Sequence, residues 1–369
     1  MSAFRPNWQA VSALVATLYS LTALPFTAGM SSPFSIAVVA ILVIGAILSM
    51  LRLVAALEAL VLMVASFGAA AMLIAGLAEA TGTASAGYYA SLIAAWLLGW
   101  RLVTVLSGDG SRSGQYIGII GITVPALFGI WVLILWECLV RGAGVPFVLL
   151  PPPSAIGVRI VTSTSILLAD FRQTVLKAVL FGYVVGSLTG FLVAILADRF
   201  RFFANGLLPI GNMVSALPMI GIAPIMVIWF GFDWQSKAAV VIVMTFFPML
   251  VNTLAGLAAT GDMERDLMRT YGASHWQVLL KLRLQAAMPF IFNALKINST
   301  LALIGAIVAE FFGTPIVGMG FRISTEVGRM NLDMVWAEIA MAAIVGSLFY
   351  GALALLERAV TFWHPSYRR

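Results

Sequence analysis

Few side chains in this chain could do chemistry. Ionisable residues fall inside apolar runs at Glu58, Glu137, Lys177 and Glu310. A charge within a membrane-crossing run is costly and usually has a task. Glu310 lies late in such a run, between Gly305 and Gly313, and is expected either beside a pathway or its gate, or as a carboxylate that packs helices together. Glu137 reads as interfacial, Glu58 as a side chain reaching out to the interface, and Lys177 as an interfacial anchor. The two histidines, His275 and His364, stand far apart, and the single cysteine, Cys138, lies in an apolar run. Structural zinc usually wants four ligands, no Ser-His-Asp grouping is credible, and one cysteine cannot form a disulfide within the chain. No Gly-Lys pair occurs, so the G-x-x-x-x-G-K-[S/T] loop that cradles nucleotide phosphates is missing. The chain is expected to be no enzyme, and to bind neither a metal nor a cofactor of its own.

Polar residues in two further apolar runs point to a water-lined path. The stretch 207–231 holds Ser215, Pro218, Pro224, Gly211 and Gly221. Proline in a spanning helix frees backbone carbonyls, which is tolerable only where protein or a water-filled cavity satisfies them. Ser215, Met219 and Trp229 are therefore candidates to line a path, with a bent, tightly packed helix as an equal alternative. Asn252 is polar within another run and reads first as an interhelical hydrogen bonder. The path candidates are Ser215, Met219, Trp229, Asn252 and Glu310.

The elements that must position these residues are membrane helices. The chain has 369 residues, 62% hydrophobic and 10% charged, with a mean hydropathy of +1.03. Soluble domains carry about 25% charged residues, so lipid must be the solvent for much of this chain. Runs of roughly 20 apolar residues mark about ten candidate spans. Four are early, at 9–29, 34–51, 54–78 and 88–107. Six follow, at 116–140, 173–197, 207–230, 236–260, 288–312 and 334–361. The first reads as a retained span, since no small-residue cleavage site follows Arg5. With alternating spans, Arg5, Arg52, Arg101, Arg112, Arg199, Arg201, Arg265, Arg269, Lys281, Arg283, Arg368 and Arg369 share one side, against Arg141, Arg159, Arg172, Arg322 and Arg329 on the other, and this uneven bias of short-loop charge assigns the first side to the cytoplasm. The net charge of +6 fits that bias, and no clustered basic face suggests nucleic acid. In the opposite segment 141–172, Pro151, Pro152 and Pro153 stop any helix, and 154–168 reads as a short amphipathic helix at the membrane surface. Gly182, Gly186 and Gly190 have the small-xxx-small spacing of close helix packing.

The most charged stretch, 261–289, lies between two long apolar spans on the cytoplasmic side. It still shows helical apolar spacing: Leu267, Met268 and Tyr271 before Gly272, then Trp276, Leu279, Leu280 and Leu282 after it. Ser274 and Gln277 fit a capping box that starts a second helix, and Gly272 permits a sharp turn and a close backbone approach. The expected product is a helix, a turn and a helix with exposed apolar knobs, which call for a groove on another protein.

This loop resembles the EAA loop of ATP-binding cassette (ABC) importer permeases. Aligned on Gly272, the motif's first three positions are Asp266, Leu267 and Met268; Gly272-Ala273-Ser274 with Trp276-Gln277 follows its commonest form, and Tyr271 precedes the glycine. Asp266 stands for the usual Glu and Gln285 for the usual Pro, while Pro289 matches a second family proline. The pro-rich 149–154, Trp229-Phe230-Gly231, Ser236-Lys237, Phe247-Pro248, Asn252-Thr253, Val308-Ala309-Glu310 and Gly318-Met319-Gly320 are similar to the sulfonate, taurine and nitrate branch of these permeases.

The resemblance implies an all-α polytopic membrane bundle in the inner (plasma) membrane of a bacterium. It implies a permease core of about six helices in 111–369, with a coupling loop near 261–286, and about four extra N-terminal spans in 1–110. The core would form the path of a small solute (a sulfonate, taurine, a nitrate-like anion, or a pyrimidine or vitamin precursor). The implied partners are two ATP-binding cassette ATPase subunits, which alone would hold ATP and Mg, a periplasmic or lipoprotein solute-binding protein, and a second permease copy in a homodimer. The coupling residues would be Asp266, Leu267, Met268, Tyr271, Gly272, Ala273, Ser274 and Trp276. An ion-coupled secondary transporter or a membrane scaffold reusing the fold are the alternatives; the first would need intramembrane carboxylates, of which the sequence offers few, and inverted repeats, of which it shows none.

Overall fold

The computed structural model describes residues 7–51, 53–77, 82–108, 117–200, 203, 206, 209, 219–313 and 316–363, without the side chains of 117–120 and 219–220. Every regular element among them is helical. The chain divides by packing into two compact units, Met1–Gly157 and Val158–Arg369. This division is distinct from the expected separation of extra spans from permease core near residue 110, because the fifth helix packs with the N-terminal ones.

The first unit holds α1 (Trp8–Ser20), α2 (Ser32–Met50), α3 (Ala55–Gly76), α4 (Ala86–Gly108) and α5 (Ile117–Gly142). Helix α1 packs on α2 and α4, and α3 packs on the same two, so four helices close a ring; α5 lies against α4 and α3. Phe26, Leu42, Leu62, Leu73, Tyr88 and Leu98 form its core. At one end of the ring, Glu58 accepts from Ser49 Oγ at 3.1 Å and from Arg101 Nε at 2.9 Å, while Asn7 donates to the Ser49 carbonyl at 3.2 Å. Glu58 is thus buried and ties the end of α2 and the start of α3 to α4; it does not reach out to the interface. Glu137, near the end of α5, accepts from Arg141 at 3.1 Å and from both the backbone N–H and the hydroxyl of Ser154.

The second unit holds the second half of α6 (Pro153–Thr162), then α7 (Thr164–Phe171), α8 (Leu180–Arg199), α9 (Met219–Phe230), α10 (Trp234–Ala258), α11 (Asp262–Thr270), α12 (His275–Val278), α13 (Leu284–Glu310), α14 (Met319–Gly328) and α15 (Leu332–Val360). Wide π-helical turns join α7 to α8 at Arg172–Val179 and α12 to α13 at Leu279–Arg283. Helix α10 is central and packs on α8, α9 and α13. It meets α8 closely because Gly182 faces Val241, Gly186 faces Thr245 and Ile242, and Gly190 faces Phe246 and Met249. Deeper polar links fix the register: Tyr183 Oη donates to the Leu295 carbonyl at 3.1 Å, and Asn298 donates to Ser187 Oγ at 3.0 Å and the Thr245 carbonyl at 2.7 Å. A Gly186→Leu variant is expected to force α8 off α10 and cost about 1–3 kcal/mol, read as a lower melting temperature of the purified protein. A melting point equal to that of the parent would show that the two backbones can separate freely.

Eight helices among the described residues are long and apolar enough to cross a membrane. The chain is therefore a multi-pass membrane protein, with two departures from the ten expected runs. The run at 9–29 yields a helix of 13 residues, about 20 Å at 1.5 Å per residue and short of the roughly 30 Å hydrocarbon core, because the backbone leaves the α-helix before Pro25. The first half of the run at 207–230 lies largely outside the described residues, and its described stretch is the short apolar helix Met219–Phe230. The single surface helix expected at 154–168 is instead two, broken at Ser163 (φ −109, ψ 21). The second of these runs without interruption into α8, as a 36-residue span, Thr164–Arg199.

Candidate functional site

The second 36-residue span, His275–Glu310, is about 54 Å long, well beyond the roughly 30 Å that lipid requires. Its first residues carry Lys281 and Arg283 and its later ones are mostly apolar, so the excess lies at the start, next to α11. There the sequence builds a compact helix–turn–helix. Helix α11 has Asp262 and Glu264 in its first turn and Arg269 in its last, matching the helix dipole at both ends. It ends in a Schellman motif: Ala273 N–H donates to the Met268 carbonyl at 3.0 Å and Gly272 N–H to the Arg269 carbonyl at 2.9 Å. That motif needs the left-handed backbone that Gly272 adopts, at φ +66. Two residues later Ser274 caps α12 through a reciprocal capping box with Gln277.

The turn leaves large side chains uncovered. Met263 and Tyr271 are each 80% exposed and Trp276 is 64% exposed, with Leu267 and Leu280 exposed beside them; Met268 and Ala273 are half-buried. Asp266 pairs with Arg269 at 3.3 Å on the exposed surface. The eight residues singled out at 266–276 therefore fall in one local structure. One detail differs from expectation. A side chain at Gly272 would meet nothing within 4 Å, so no part of this chain makes the close approach; the glycine serves the backbone conformation.

The path candidates do not form one cluster. Ser215 lies outside the described residues, and of Met219 only the backbone is described, as the first residue of α9. Trp229, near the end of α9, is 69% exposed. Asn252 donates to the Pro248 carbonyl at 2.8 Å and accepts from Asn293 at 3.4 Å, an α10–α13 link. Asn293 and Glu310 are separated by about 25 Å along α13, so Asn252 and Glu310 occupy different depths.

Glu310 is buried in a polar joint at the start of α14. The first N–H groups of a helix have no partner within it, and here side chains satisfy three in succession. Gly318 N–H donates to Asp170 Oδ1 at 2.7 Å, Met319 N–H to Thr174 Oγ1 at 2.8 Å, and Gly320 N–H to Glu310 Oε2 at 2.7 Å. Thr174 Oγ1 in turn donates to Glu310 Oε1 at 2.8 Å. Arg322 Nε completes the joint by donating to Asp170 Oδ2 at 2.9 Å. Gly318, at φ +146, is required by space as well as conformation, since a Cβ there would sit 2.8 Å from the Glu310 carboxyl carbon. Close by, Lys237 is buried and donates to the carbonyls of Phe232 and Gly313 and to Ser236 Oγ. Asp170, Thr174 and Arg322 did not stand out in the sequence as site residues, and Lys237 entered only through the family resemblance of Ser236-Lys237. The available signal was the spacing Leu167, Asp170, Thr174, which puts an aspartate on the buried face of a helix.

The family of binding-protein-dependent transport system inner membrane components matches residues 182–362, wholly within the second unit. The formylaminopyrimidine transport permease protein ThiX of Halalkalibacterium halodurans is 30% identical over 239 residues, which are 65% of this chain and 95% of that protein. The putative aliphatic sulfonates transport permease protein SsuC of Bacillus subtilis is 28% identical over 253 residues, 67% of this chain and 88% of that protein. A solved structure of the MetNI methionine ABC transporter in inward facing conformations is 19% identical, covering 54% of this chain and 98% of that one, with a TM-score of 0.46. An all-helical membrane bundle, the helix–turn–helix between two of its spans and kinship over nearly the whole length of such relatives lead to one assignment: this chain belongs to the inner-membrane permease components of binding-protein-dependent ABC transporters.

Proposed function

We propose that this permease carries a small solute across a bacterial inner membrane and draws its driving force from separate ATP-binding cassette subunits docked on residues 261–286. The observation that carries the reading is the uncovered apolar face of the helix–turn–helix, with Met263, Leu267, Tyr271 and Trp276 exposed. A short helix with such a face fits a groove on a partner, and a chain without a phosphate-cradling loop needs that partner for energy. ATP and Mg would be held by the partner alone. Two ATPase subunits, a second copy of this chain and a solute-binding protein on the opposite side complete the assembly. Relatives named for formylaminopyrimidine and for aliphatic sulfonates support a small polar solute, either an anion of the sulfonate, taurine or nitrate kind or a pyrimidine or vitamin precursor. Trp229, Asn252 and Glu310, with Ser215 and Met219, remain the candidates to line its path.

The test is to inactivate the phosphate-loop lysine of the co-purifying ATP-binding subunit. Import by cells expressing the complex is expected to stop while the assembly stays intact. Import that continues, driven by an ion gradient, would establish a secondary transporter; an assembly that holds no ATPase would establish a scaffold.

A further inference from the structure

Docking helices can do work only if they are attached to spans that move. Helix α11 is tied back to the end of α10, where Arg265 donates to Thr260 Oγ1 at 2.9 Å and to the Ala258 carbonyl at 3.1 Å. The second attachment is different in kind. Arg283 closes the π turn at the foot of α13, and its two terminal nitrogens donate to the two carboxylate oxygens of Asp198, each at 2.7 Å. Its Nε donates to the Leu257 carbonyl at 3.0 Å. Asp198 lies in the last turn of α8 and Leu257 in the last turn of α10, so one guanidinium joins three helix ends. The side chains of Arg283 and Asp198 are only 15% and 13% exposed. Shielding of this degree keeps the attraction from being screened by salt, and a two-point fork fixes orientation as well as distance. The other polar links between α8 and α13, from Tyr183 and Asn298, lie deeper in the bundle.

We infer that Asp198 and Arg283 are positioning residues of the transport cycle, whose ion pair passes the movement of the docking helices into α8. The inference rests on the proposed docking of an ATP-binding subunit at 261–286. Neither residue needs to touch solute or nucleotide. The pair converts a push on α11 and α12 into a displacement of the α8 end, and the π turn beside it sets the helical register between the docking segment and the span.

The test uses the full chain in complex with its ATP-binding subunits in lipid. An environment-sensitive bimane is attached either at Thr270→Cys on α11 or at Leu192→Cys on the exposed face of α8; Cys138 is buried and does not compete. In the parent complex both probes are expected to respond to MgATP with vanadate. With Asp198→Asn, the Thr270 probe keeps its response and the Leu192 probe loses it. Arg283→Lys, which keeps the charge but not the fork, gives the same split and serves if the asparagine variant does not assemble. A Leu192 response undiminished in either variant overturns the inference while leaving the docking reading intact. A Thr270 probe already silent in the parent overturns the docking reading itself.

Discussion

A complex carrying Gly272→Trp is expected to lose ATP-driven import while its spans remain folded. Gly272 holds a left-handed backbone, φ +66, which costs a side-chain-bearing residue about 1–3 kcal/mol. The larger effect is steric. The space beside Gly272 is empty in this chain, and in the proposed assembly the groove of the ATP-binding subunit fills it. An indole there would hold the groove away from Tyr271 and Trp276. Gly272→Ala separates the two causes, since it brings the strain and little bulk, and it is expected to keep most of the import. The check is co-purification of the ATP-binding subunit together with import by intact cells. Full import by the tryptophan variant would show that the turn carries no force.

The second large effect is expected at Asp170. Replacement by alanine would leave the Gly318 N–H without its acceptor and the Arg322 guanidinium without its carboxylate. Breaking a shielded ion pair by removing one partner costs about 3–5 kcal/mol, and here a buried helix start loses a satisfied donor as well. Asp170→Ala should therefore lower the melting temperature of the purified permease sharply. Asp170→Asn keeps an acceptor for Gly318 and should fall between the two. If alanine melts like the parent, the first turn of α14 is held by Thr174 and Glu310 alone. The joint also frames the role of Glu310, whose two oxygens are both committed to protein donors.

What the sequence made legible follows from how local each feature is. The helix–turn–helix over 262–278 could be read because its determinants lie within a few residues of one another: Gly272 for the left-handed backbone, Ser274 and Gln277 for the cap. Membrane spans could be read because they are long apolar runs. The joint at α14 could not, because Asp170 and Gly318 are 148 positions apart and nothing local announces that a carboxylate on one will meet an amide on the other. The pairing of Asp198 with Arg283, 85 positions apart, was hidden for the same reason. Glu58 was misread because a single carboxylate near a span end looks alike whether it reaches to water or binds an arginine across the bundle. The run at 9–29 was misread because hydropathy measures length of apolar sequence, while Pro25 decides where the helix can continue.

In the proposed assembly, residues 261–286 face the cytoplasm and are covered by an ATP-binding subunit. The direct measurement is labelling of Met263→Cys with a membrane-impermeant maleimide in oriented vesicles. Inside-out vesicles are expected to label strongly when the ATP-binding subunit has been stripped away and weakly once it is restored, and right-side-out vesicles not at all. Labelling from the outer face, or labelling that restoration of the subunit leaves unchanged, would contradict it.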